Sequence, residues 1–98
     1  MSKKAVRSLT SSLKKHKAQI KAEIAKLKRE KIKQSYSIYK IKSQMNRSRN
    51  KTKIHQLASK LAKARDQHES IVAKIMLLEN ILESLENTEK LCYRYLVI

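Results

Sequence analysis

The chain has 98 residues, a formal net charge of +16, and no Gly, Pro, Phe or Trp. Average chains carry about 7% Gly and about 5% Pro, so the tight hairpins, glycine-rich phosphate loops and nucleophile elbows that need glycine are excluded. A single Cys excludes an internal disulfide framework, and neither a β-rich fold nor an enzyme of familiar type is expected.

The first predicted element is a basic helix over residues 4–46. Val6, Leu13, Ile20, Leu27, Gln34 and Ile41 recur at heptad position d, and Thr10, Lys17, Ile24, Lys31, Ile38 and Met45 at position a. A polar run, Asn46-Arg-Ser-Arg-Asn-Lys-Thr52, interrupts this pattern. Ser, Asn and Thr side chains compete for backbone groups and favour turns. A turn is therefore expected over 47–52, with Asn50 or Thr52 capping a second helix. One helix continuing through a stutter is the alternative.

The second helix, 53–92, carries the stronger pattern. Position a reads Ile54, Leu61, His68, Ile75, Leu82 and Glu89, and position d reads Leu57, Ala64, Ile71, Leu78, Leu85 and Cys92. Such a run of heptads predicts a coiled-coil helix. Residues 93–98 are read as an apolar tail, too short to span a membrane. The expected architecture is all-α: a long antiparallel helical hairpin, one helical unit over 1–98, forming part of an oligomer or filament.

An antiparallel register results if facing residue numbers sum to 102. Ile24 then faces Leu78, Leu27 faces Ile75, and the two polar intrusions Gln34 and His68 form one layer. The same register brings Lys21 near Glu79 and Lys14 near Glu86. On the second helix Val72, Met76, Leu77 and Ile81 lie outside the seam, as do Leu9, Ile32, Tyr36 and Tyr39 on the first. A helix apolar beyond its seam needs a further partner, so Val72, Met76, Leu77 and Ile81 are the expected oligomerisation residues.

Charge is distributed unevenly. Residues 1–65 hold 21 basic and 2 acidic residues, a net of +19, whereas residues 66–98 hold 3 basic and 6 acidic, a net of −3. A polyanionic partner is implied, either nucleic acid or an acidic phospholipid surface. Lys14, Lys21, Lys28 and Lys42 share heptad position e, with Lys15 and Arg29 beside them at f and Lys26, Lys33 and Lys40 at c. Arg47, Arg49, Lys51 and Lys53 cluster at the turn. Lysine acts as a point charge, while planar recognition favours Arg, so non-specific attraction is expected over base reading. Tyr36 and Tyr39 among these cations either pack, stack on bases or sit at a membrane interface. The three histidines lack metal-site spacing, Cys92 reads as a buried structural thiol, and no catalytic residue or cofactor is expected. The N-terminus lacks the apolar core of a signal peptide, so a cytoplasmic chain is expected, with membrane association compatible and the nucleus as the alternative.

Two stretches carry a family resemblance: Ala58-Ser-Lys-Leu61-Ala-Lys63-Ala-Arg65 after the turn, and Ile38-Tyr-Lys-Ile41-Lys-Ser-Gln-Met45 before it. With the basic first helix, they resemble the core hairpin of ESCRT-III subunits, the charged multivesicular body proteins, over roughly residues 8–90. The chain departs from that pattern in having no Gly at the turn, no apolar anchor before the first helix, and no later regulatory helices or acidic tail. A core fragment or reduced member is the corresponding expectation. The resemblance implies filaments whose basic face binds, bends or cuts acidic membranes, the matching face here being the first helix. The leading expectation is a membrane-remodelling subunit, and the alternative is a non-specific nucleic-acid-binding helical protein of viral, nucleoid or ribosome-associated type. The register carries its own check: Ile24→Cys with Leu78→Cys should form a disulfide within one chain, and an open continuous helix would give none.

Overall fold

The computed structural model describes residues 2–97. Two helices account for nearly all of them: α1, Lys3–Arg47, and α2, Lys51–Val97. They pack antiparallel as a hairpin, with no strand among the described residues. Both helices run longer than expected. The turn shrinks from 47–52 to Ser48-Arg49-Asn50, and 93–97 is the last turn of α2 instead of a separate tail.

The turn shows how a chain without glycine reverses direction. The Ser48 amide donates to the carbonyls of Gln44 (3.1 Å) and Met45 (3.3 Å), closing α1 with a shared bond. The Asn50 amide donates to Ser48 Oγ at 3.3 Å. Asn50 then caps α2: its Oδ1 accepts from the amides of Thr52 (2.9 Å) and Lys53 (3.3 Å). Its carbonyl accepts the first helical bond from Ile54 at 3.0 Å. Of the two expected caps, Asn50 is the one used. No described residue has a positive φ, so the left-handed conformation that favours glycine is not required. Ser2 plays the same part for α1, its Oγ accepting from the Ala5 amide at 3.2 Å.

The heptads map onto burial closely. Every a and d side chain of α2 from Ile54 to Cys92 is buried or half-buried, and Leu96 continues the row. On α1 the same holds except at Lys31, which is exposed. A charged side chain at a seam position is favoured only where it finds a partner or reaches water.

Contacts divide the chain into two units, the first made of residues 1–26 with 76–98 and the second of 27–75. In the first, Val6, Leu13 and Cys92 form a buried cluster with Leu85 and Leu96 packed against it. Cys92 is a buried free thiol. Thr10 is buried at an a position because its hydroxyl donates to the Val6 carbonyl at 2.9 Å, satisfying itself within its own helix. In the second unit Leu27, Leu57, Leu61, Ala64 and Ile75 are buried.

The second unit also holds the polar layer, in a different pairing from the one expected. Gln34 and His68 do not pair with each other. Gln34 Nε2 donates to Gln67 Oε1, and His68 Nε2 meets Ser35 Oγ at 3.3 Å. Both contacts fall within one residue of the expected register. The layer is thus four side chains wide, and its edge is solvated.

Asn50→Ala should destabilise the chain by about 1 kcal/mol by leaving two α2 amides without their cap, read as a lowered denaturant midpoint at unchanged slope. Thr52→Ala should change stability by less than about 0.5 kcal/mol.

Candidate polyanion and assembly surfaces

In the first unit, Lys17 and Glu89 both occupy a positions, on α1 and α2. Their side chains meet in an ion pair of 3.0 Å, with exposures of 19% and 13%. The sequence register sets Lys17 opposite Leu85, one helical turn away, and so does not reveal this pair. A long lysine stem reaching along the seam produces it. The second carboxylate oxygen of Glu89 is buried without a hydrogen-bond partner, so the contact with Lys17 is made through one oxygen.

Lys14 meets an aromatic ring of α2. Its Nζ lies 5.6 Å from the centre of the Tyr93 ring. Hydrogen bonding and charge at Tyr93 hold the Lys14 ammonium above the ordinary lysine pKa, against slight desolvation and with a smaller push from Glu89. Lys14 therefore stays charged while sitting on an aromatic face. Periodicity alone leaves Tyr93 in a tail, and the signal that places it on a helix is Leu96, which extends the a row past Glu89.

All the basic residues proposed from sequence are exposed. Lys14, Lys15, Lys21 and Lys26 belong to the first unit, and Lys28, Arg29, Lys33, Lys40, Lys42, Arg47, Arg49 and Lys51 to the second. Arg47 ends α1, Arg49 stands in the turn and Lys51 begins α2.

In the second unit, three large apolar side chains stand out on α1: Ile32 (70% exposed), Tyr36 (59%) and Tyr39 (67%). Their spacing, i, i+4 and i+7, puts them on one side of the helix. Arg29, Lys33 and Lys40 surround them, and Lys40 Nζ sits 4.7 Å from the Tyr36 ring centre. A shallow pocket beside Ile32 is lined by Lys28, Lys31 and Ser35.

The expected oligomerisation residues split. Met76, Leu77 and Ile81 are exposed, whereas Val72 is half-buried and already partly used by the hairpin. Further exposed apolar residues occur along α2 at Leu91, Tyr95 and Val97. Between the helices of the first unit lies an open apolar groove of about 310 Å³, lined by Val6, Leu9, Thr88, Leu91, Cys92 and Tyr95.

Among the described residues no helix is long and apolar enough to cross a membrane, and no group of His, Cys, Asp and Glu side chains is placed to hold a metal ion. No family model, curated protein or solved structure matches the chain.

Lys17→Ala should cost about 2 kcal/mol, since it strands a mostly buried carboxylate. A double-mutant cycle with Glu89→Ala should return a coupling of about 1 kcal/mol that persists in salt better than an exposed pair would. Zero coupling would mean that the pair contributes nothing to the seam.

Proposed function

We propose that the chain is a non-enzymatic helical hairpin that binds an anionic membrane surface through the outward side of α1 and self-assembles there as an ESCRT-III-like remodelling subunit. The observation that carries this reading is the row Ile32, Tyr36 and Tyr39, exposed on α1 and ringed by Arg29, Lys33 and Lys40. This composition suits a headgroup layer. Aliphatic and aromatic side chains enter the interface, lysine stems lie along the apolar boundary, and the ammonium groups meet lipid phosphates. Each basic residue near an anionic leaflet contributes about 1 kcal/mol. Transfer of apolar area adds about 25 cal/mol per Å².

A second reading is supported by the lysine row Lys14, Lys21, Lys28 and Lys42, whose regular spacing also suits a phosphate backbone. In that reading the chain is a non-specific nucleic-acid-binding protein, with Tyr36 and Tyr39 stacking on bases and a steep dependence of affinity on salt. Ile32 distinguishes the two, because an exposed isoleucine gains from a lipid interface and gains nothing from phosphates.

Flotation of the full chain with anionic and neutral vesicles, beside titrations with duplex and single-stranded nucleic acid, tests the choice. Binding to anionic vesicles alone is expected. Ile32→Ser with Tyr36→Ser and Tyr39→Ser should weaken it about tenfold or more, and Lys14→Glu with Lys21→Glu and Lys28→Glu should abolish it. Tight nucleic-acid binding without flotation would overturn the membrane reading in favour of the second.

A further inference from the structure

Four of the exposed apolar residues of α2 in the first unit, Leu77, Ile81, Leu91 and Tyr95, share two heptad positions, while Met76, Tyr93 and Val97 lie off them. With a and d assigned to the hairpin seam, Leu77, Ser84 and Leu91 fall at c, and Ile81, Thr88 and Tyr95 at g. Together they form a second heptad row with alternating steps of four and three residues, all six exposed. It runs for about 27 Å of helix. Leu77 and Leu91 near its two ends are almost equally open, at 60% and 61%. Toward the turn the same two positions become Lys60, Lys63, Gln67, Ser70 and Lys74, and at the far end the groove beside Leu9 takes in Thr88, Leu91 and Tyr95.

This row is complementary to itself when reversed. If a second α2 lies antiparallel about a twofold axis near residue 86, Leu77 meets the second copy's Tyr95 and Ile81 meets its Leu91. Ser84 then meets its Thr88. Each pair sets a c residue against a g residue, the two positions acting as the d and a of a new seam. Small hydroxyl side chains fall at the centre and large apolar ones at both ends, so the layers fill without a buried charge. A twofold contact of this kind uses one surface twice.

Charge permits the same occupant at this row. Two chains of net +16 repel each other, and most outward rows of α1 carry lysines. The six row positions carry no charge, and the flanking f positions are Asn80, Asn87 and Arg94. In the antiparallel arrangement Arg94 comes beside the other copy's Asn80, and the two Asn87 side chains meet near the axis. No like-charge pair forms among these α2 positions.

We infer that this row is the docking surface for a second copy of the chain, in an antiparallel four-helix arrangement centred near residue 86. The inference deepens the self-assembly part of the proposed function and rests on that part alone. Lipid binding through α1 does not enter it.

Light scattering of the full chain in solution without vesicles should show a dimer. Leu77→Lys and Tyr95→Glu should each weaken dimerisation about 30-fold or more, the size of one interface hot spot, with helicity by circular dichroism unchanged. The two substitutions together should restore the dimer, because an antiparallel partner sets the new lysine against the new glutamate. Asn87→Cys should give a symmetric crosslink between chains on mild oxidation, Cys92 being buried. A monomer throughout would overturn the inference, as would undiminished dimerisation in either single variant or no rescue in the double one. Assembly that persists in those variants would keep the self-assembly reading and remove this surface from it, while loss of vesicle binding would leave the surface standing.

Discussion

Two helices packed side by side have one seam, and the rest of this chain depends on how little that seam can hold. No side chain among the described residues reaches complete burial. Each core layer is one residue deep, as with Val6, Leu13 and Cys92 in the first unit or Leu57, Leu61 and Ala64 in the second. A seam this narrow leaves its edges wet. That explains why it tolerates an ion pair between two a positions and a layer of Gln34, Ser35, Gln67 and His68. In a thicker core each would cost more to desolvate. The narrowness also leaves no room inside for Ile32, Leu77 or Leu91, which stay outside and call for partners.

Charge obeys the same constraint. In the first unit the basic α1 meets the acidic end of α2 at the seam. There Lys17 takes Glu89, and beside it Lys14 lies over the Tyr93 ring. The lysines on the outer rows of α1 remain exposed to solvent. Local rows thus differ in character: α1 outward in the second unit is basic with apolar side chains set into it, while the c and g positions of α2 in the first unit are uncharged, with large apolar side chains at both ends of the row. These surfaces suit partners of different chemistry.

Much of this is legible in the residues. The α2 heptad from Ile54 to Cys92 identifies the buried face position by position, and the polar run before Thr52 places the turn. The register near Gln34 and His68 is right to within a residue. What periodicity cannot give is the partner chosen within a layer, because it fixes which face a side chain occupies and not its rotamer. Hence Gln67, at a flanking position, takes the bond expected of His68, and Lys17 reaches one turn further than its opposite neighbour. The end of α2 is obscured because Glu89 at a seam position reads as a fading pattern. Leu96 resumes it, and with it Tyr93 and Tyr95 become helical surface. The division into two units has no sequence signal, since both helices run unbroken through it.

Environment-sensitive fluorophores on single cysteines at positions 36 and 77, in a Cys92→Ala background, test most directly whether the surplus of this seam is split between two partners. The expected result is a blue shift at 36 on adding anionic vesicles and none on raising protein concentration. At 77 the shift should come on raising concentration without vesicles. The same response at both positions to one partner, or no response at either, would contradict it.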